Sequence, residues 1–177
     1  MKIAQVGEDI LRQPARKVTE AEFADPELHT FSQDLLNTMT EANGIGIAAP
    51  QVFDERALMY IASRPNIRYP NAPLMEPLLL INPVIAAQSD ERVWEWEGCL
   101  SVPGLRGKIA RPDWVEVHYQ NLHGESQQTR FSGFVARVFL HEYDHLIGLT
   151  WLDHITDSRQ IMANEVWLKA LEQGRLP

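Results

Sequence analysis

The run His141-Glu142-Tyr143-Asp144-His145 constrains this chain more than any other part of its sequence. In a helix, residues four apart stand one turn above each other, so both imidazoles leave the same face and Glu142 stands beside the first. Two such donors with a neighbouring carboxylate supply two ligands and a base for a metal site. Average composition produces this five-residue pattern by chance in roughly 1% or fewer of chains this long. The competing reading, two histidines packed in a core beside a solvated glutamate, therefore carries little weight. A fold that uses the run must hold one helix centrally and bring a third donor to it.

Catalytic metal sites usually have three protein ligands and one open position, and three residues compete for the third place. A metzincin-type pattern needs a His at position 151, which is Trp151, although its glycine is present as Gly148. A thermolysin-like pattern needs a Glu about twenty residues after the second His. Glu165 stands there behind Asn164, but Lys169 occupies the place of the carboxylate that would orient a ligating histidine. The remaining candidate is Cys99, in Glu97-Gly98-Cys99-Leu100-Ser101, whose thiolate suits zinc or ferrous iron. An isolated cysteine is also often a small buried hydrophobe, or a nucleophile paired with a histidine and a carboxylate such as Asp144.

Charge and hydropathy exclude several classes of partner. Lys and Arg number 16 against 24 Asp and Glu, a net charge of −8, and no basic run offers a stripe for phosphates, so direct nucleic-acid binding is not expected. Apolar stretches such as Leu78–Ile81 fall far short of the roughly 20 residues that cross a bilayer. The opening MKIAQVGEDILRQ has no secretory apolar segment, so neither a membrane partner nor export is expected. Cys99 is the only cysteine and cannot close an intrachain disulfide, which suits a reducing compartment. With 177 residues and no repeat or linker, one domain over 1–177 is expected.

Asp25 can cap a helix opened by Pro26, and Leu28, Phe31, Leu35 and Met39 recur at helical spacing, predicting a helix over Pro26–Asn43. Short strands are predicted at Ala57–Ala62, Leu78–Asn82, Val93–Glu97, Trp114–Tyr119 and Gln127–Phe131, with a turn at Asn121–Gly124. A second helix is predicted from after Gly133 to Gly148 and a third over Ser158–Glu172. The order predicts an α+β fold: short antiparallel or mixed sheets around the central HExxH helix, flanked by an N-terminal and a C-terminal helix. Trp94 and Trp96 alternate with Glu95 and Glu97, predicting one packed aromatic strand face.

The segment Gly44-Ile45-Gly46-Ile47-Ala48-Ala49-Pro50-Gln51 matches a glycine-rich dinucleotide pattern, but a helix precedes it and Pro50 blocks the helix that should follow. Its glycines suit close approach of an extended ligand that pairs as an added strand. Gln51 could then donate an amide hydrogen to a developing oxyanion.

Together the segments GIGIAAPQ, EGCLS and HEYDHLIG, in this order, resemble the three motifs of the peptide deformylase family. The stretch SVPGLRGKIARPDWVEVHY is also similar, so the resemblance covers most of the chain. One departure is Leu140, where the family usually has Gln before the first His; altered packing beside the site with intact chemistry is expected.

The resemblance implies hydrolysis of the N-formyl group from the first methionine of newly made polypeptides, with release of formate, in a bacterial-type cytoplasm. It implies one divalent metal held by Cys99, His141 and His145, with ferrous iron preferred and zinc, nickel or cobalt able to substitute. Glu142 shuttles the proton, while the Leu100 amide and the Gln51 side chain meet the oxyanion. The peptide lies along Ile45 and Gly46 with Gly98 opposite, and its methionine enters a pocket for which Phe134 and Val138 are candidates because they share a helix face with His141. Arg137, on the same face, is expected to lend its stem or reach solvent; Arg106 and Arg111 could pair with Glu97 or touch a substrate carbonyl, with a solvated role expected for each. His29, His118, His123 and His154 are read as ordinary polar residues. Few cations occur near the C-terminus (Arg159, Lys169, Arg175), so at most weak, salt-sensitive ribosome contact is expected.

Overall fold

The computed structural model describes residues 1–176. In chain order the elements are α1 (Glu20–Phe23), α2 (Pro26–Glu41), β1 (Gly46–Ala48), β2 (Leu58–Ser63), β3 (Met75–Gln88), β4 (Arg92–Cys99), β5 (Val102–Pro112), β6 (Trp114–Gln120), β7 (Ser126–Ser132), α3 (Gly133–Leu146), β8 (Ile161–Ala163) and α4 (Asn164–Glu172). Five strands form one sheet in the order β1-β2-β3-β6-β7 and three form another in the order β4-β5-β8, all named pairs being antiparallel. The α+β class predicted from the sequence is the one observed.

Local chemistry explains where α2 begins. The Asp25 carboxylate accepts from the Glu27 amide at 2.9 Å and Pro26 fills the first helical position, where a missing N–H costs nothing. Leu28, Leu35 and Met39 then face Ile47, Leu58 and Ile81. Helix α3 is buried on nearly every side. Ala136, Phe139 and Leu140 pack against Met59, Ile61, Leu80, Val117 and Phe131 of the large sheet, while its opposite face meets the small sheet. Fully burying one such apolar side chain contributes about 1.5–3 kcal/mol, so this packing outweighs the modest propensity of a helix containing Val, Phe and His. Thus α3 is clamped between two sheets whose edge strands β1 and β4 lie at the site.

Several sequence expectations need correction. The segment from Ser158 is not one helix: Ser158–Gln160 form a single 3-10 turn, Ile161–Ala163 pair with Leu105–Gly107 of β5, and α4 starts only at Asn164. Strand pairing at the sheet edge overrides the helical spacing of Ile161 and Met162. Strands β1, β5 and β8 were not predicted, because β1 and β8 span three residues each and β5 alternates glycines with buried arginines. Strand β3 far exceeds Leu78–Asn82 and tolerates its prolines through register shifts against β2 and β6. The tryptophan face is only half packed: Trp96 is buried, whereas Trp94 is 51% exposed. The turn at Asn121–Gly124 does form, with the Gly124 amide donating to the Asn121 carbonyl at 3.0 Å and Gly124 at φ 76°.

Candidate metal centre

One face of α3 and the end of β4 meet in a cavity of about 240 Å³. Strand β4 carries Glu97, Gly98 and Cys99, and a register shift between Gly98 and Cys99 turns the thiol toward the helix. The ligand atoms of Cys99, His141 and His145 all lie within 4.8 Å of one another, and Cys99 Sγ stands 3.3 Å from His145 Nε2. Among the described residues these three form the one such donor cluster. Glu165 lies exposed in the first turn of α4 and outside it. The thermolysin-like alternative is thereby not favoured.

The donor set fits a divalent cation. His141 Nδ1 is 2.8 Å from Glu97 Oε2, which leaves Nε2 as the free nitrogen for a ligand. Burial alone would raise the Cys99 thiol, but His145 and His141 beside it hold it well below the usual thiol range. Cys99 is therefore the thiolate that soft cations prefer. The Ser101 amide donates to Sγ at 3.3 Å and Gln51 Nε2 approaches it at 3.6 Å, both suited to a charged sulfur.

Around the donors lies a layer of buried arginines, where a solvated role was expected for Arg106 and Arg111; Arg111 instead makes the alternative pairing with Glu97. Arg111 donates to Glu97 through Nε and Nη2, at 2.9 Å each, and to Asp144 Oδ2 through Nη1 at 2.7 Å. Asp144 Oδ2 also stands 2.8 Å from His154 Nε2, so His154 belongs to this layer and is not an isolated polar residue. Arg137 donates to Glu97 Oε1 at 2.8 Å and to the Val93 carbonyl at 2.7 Å. Burial would raise Glu97, yet Arg111 and His141 hold it well below the ordinary carboxylate range. Arg106 spans the mouth of the cavity, donating to Asn164 Oδ1 at 2.9 Å and Tyr69 Oη at 3.0 Å, with its guanidinium 3.9 Å from the Trp167 ring centroid. Arg106 and Arg111 are both 3% exposed on β5 opposite β4, and nothing in their spacing marked them as buried.

Glu142 sits on the cavity wall, 4% exposed, and its Oε2 has no hydrogen-bond partner among the described residues. Burial raises its pKa to about 7. Gly46 faces it so closely that any Cβ there would run into the Glu142 carboxylate. Gln51, 1% exposed, is locked in place: its Oε1 accepts from the Ala48 amide at 2.8 Å and its Nε2 donates to Ser101 Oγ at 3.1 Å. Ile45, Gly98, Leu100, Phe134 and Val138 line the same cavity, so every site residue named from the sequence except His145 is among its lining, and His145 lies behind it against Cys99. The Leu100 amide makes no hydrogen bond among the described residues. Leu140 turns away into the core formed with the large sheet.

Residues 1–160 match the family model for polypeptide deformylase. A peptide deformylase 2 of Shewanella oneidensis is 48% identical over 166 residues, covering 93% of this chain and 90% of its own length. Its namesake in Nostoc is 44% identical over 165 residues, covering 93% and 91%. A crystal structure of class I type b peptide deformylase from Acinetobacter baumannii with Met-Ala-Ser bound superposes with a TM-score of 0.85 at 44% identity, covering 86% of this chain and 96% of that one.

Proposed function

The chain belongs to the polypeptide deformylase family, and on that premise we propose that it hydrolyses the N-formyl group from the first methionine of newly made polypeptides, releasing formate. The observation that carries this reading is the gathering of the Cys99, His141 and His145 donor atoms within 4.8 Å beside the buried carboxyl of Glu142. Cys99, His141 and His145 would hold one divalent cation, which when bound acidifies water and polarises a carbonyl oxygen. Ferrous iron is the cation we propose, because a thiolate with two imidazoles suits it; zinc, nickel and cobalt share the same donor preference.

The remaining work falls to the chain's own groups. A carboxyl that titrates at about 7 takes a proton from the attacking water and delivers it to the leaving amine, the role we assign to Glu142. The Leu100 amide and Gln51 Nε2 are the donors proposed for the developing oxyanion, since the first is unused and the second is fixed by Ala48 and Ser101. An extended peptide can add to the free edge of β1 at Ile45 and Gly46, with Gly98 of the edge strand β4 opposite. Backbone pairing of this kind reads few side chains, so tolerance beyond the first residue should be broad. Phe134 and Val138 form the wall proposed for the methionine side chain.

We propose one catalytic domain for the whole chain, because beyond the family match β8 pairs with β5 and α4 packs against it, placing Asn164 in the cavity. A cytoplasmic setting follows from the proposed substrate; no helix among the described residues is long and apolar enough to cross a membrane. Ribosome contact would be weak and salt-sensitive, since Arg159 is already paired with Asp157.

The test is formate release from a short formyl-methionyl peptide by protein purified without oxygen, compared with Glu142→Ala carrying the same metal. Formate from the wild type and its loss in the variant is the expected result. Absence of formate from metal-loaded wild type would overturn the reading.

A further inference from the structure

Ser101 is fully buried, and among the described residues its hydroxyl has one partner, Gln51 Nε2 at 3.1 Å. Its backbone is used elsewhere: the amide donates to Cys99 Sγ at 3.3 Å and the carbonyl accepts from the Val6 amide at 2.8 Å. The Gln51 carbonyl accepts in turn from the Ala4 amide at 2.7 Å, so alternate residues of the N-terminal segment hold both backbones in place. A buried hydroxyl adds little to folding where alanine would fill the same space, because its desolvation offsets its one hydrogen bond. The oxygen of Ser101 is therefore to be explained by what it does to Gln51.

An amide group pivots about a single hydrogen bond but not about two. Oε1 of Gln51 is anchored by the Ala48 amide at 2.8 Å; with Nε2 anchored by Ser101 as well, the plane of the amide is fixed. Nε2 carries two hydrogens. Ser101 takes one, and the other faces Cys99 Sγ at 3.6 Å, on the side of the donor cluster, where so long a contact to sulfur leaves it available to a stronger acceptor. We propose that Ser101 is a positioning residue for the reaction: its hydroxyl aims the second Nε2 hydrogen of Gln51 at the developing oxyanion. This rests on the deformylase reading and on the oxyanion role proposed for Gln51. A donor of this kind is effective only when it is aligned before the charge develops. Without the Ser101 oxygen the amide swings about its bond to Ala48, and the donor stays in the site but loses its aim. The loss falls on the transition state and spares binding of the peptide.

The test is kcat and KM on a formyl-methionyl peptide for wild type, Ser101→Ala, Gln51→Ala and the double variant, all carrying the same metal. Ser101→Ala should lower kcat about tenfold at a KM unchanged within about twofold, and Gln51→Ala on the order of 100-fold. The double variant should be no slower than Gln51→Ala, since Ser101 acts only through that side chain. Metal content of Ser101→Ala should match the wild type, because the backbone amide that donates to Sγ remains. A kcat for Ser101→Ala within about twofold of the wild type overturns the inference. So does an undiminished further loss when Ser101→Ala is added to Gln51→Ala, which would assign the effect to packing around Cys99. Formate from the wild type with either result leaves the deformylase reading standing; no formate from metal-loaded wild type overturns both.

Discussion

Oε2 of Glu97 stands 2.8 Å from Nδ1 of His141, and the same carboxylate is gripped by Arg111 and Arg137. The contact sets which ring nitrogen of His141 is free, and the arginines keep Glu97 ionised inside the protein. Groups that orient a ligating histidine in this way typically govern metal affinity by about 10–100-fold. Glu97→Gln should therefore weaken metal binding by a factor in that range, read by competition against a chromophoric chelator. It should also cost about 3–5 kcal/mol of stability, because the buried Arg137 guanidinium loses its paired carboxylate and Arg111 keeps only Asp144. Affinity within twofold of the wild type would show that Glu97 does not orient the histidine.

Replacing the competing third ligands separates them. Cys99→Ser should abolish stoichiometric metal binding, since the hydroxyl stays protonated where the thiol ionises. Glu165→Ala should leave metal content unchanged, because Glu165 is exposed and outside the donor cluster. Elemental analysis of both variants after identical loading decides the matter, and metal lost from Glu165→Ala would contradict the assigned ligand set.

Why the metal helix was legible and its surroundings were not follows from how each is encoded. His141, Glu142 and His145 lie on one helix, where spacing alone sets which side chains share a face. Cys99, Gln51 and Gly46 come from other segments, and only their motifs marked them; no local periodicity joins them to α3. The arginine layer was hidden for a different reason. An arginine is exposed by default, and Arg106, Arg111 and Arg137 are buried only because the fold brings acceptors from β4, α3 and α4 to them. Likewise Ile161 and Met162 carry a helical pattern that loses to pairing with β5, a partner more than fifty residues away. Contacts within one element could be read from the sequence, and those assembled across elements could not.

Gly46 tests how tightly the Glu142 carboxyl is placed. A Cβ at position 46 would overlap Glu142, so Gly46→Ala must push the carboxyl aside. Displacing a reacting group by about 1 Å costs on the order of 100-fold in rate, whereas overpacking costs only about 1–3 kcal/mol of stability. The expected variant is folded, binds metal and has kcat lowered by that factor. Steady-state kinetics on a formyl peptide measure it, and a kcat near wild type would mean that Glu142 works from more than one position.

Far from the metal, Glu22 gives the fold an acid-sensitive tie. It receives Arg16 through Nη1 and Nη2, at 2.9 Å each, and the amide of Thr19 at 2.8 Å, joining the entry of α1 to the preceding segment. The Arg16 hydrogen bonds, followed by the Thr19 amide, lower its pKa to about 2 from the ordinary 4.5. A depressed folded-state pKa means stability that is complete above the unfolded value of about 4.5 and is lost as pH falls through about 2. The side chains are 45% and 24% exposed, so solvent screening limits the contribution to about 1 kcal/mol or less. Glu22→Gln should thus be less stable than the wild type by about that amount at pH near 6, and the gap should close toward pH 2. Urea unfolding of both proteins across this range provides the check. A gap that stays constant with pH would assign the loss to the neutral hydrogen bonds of the α1 cap and remove the charge of Glu22 from the account.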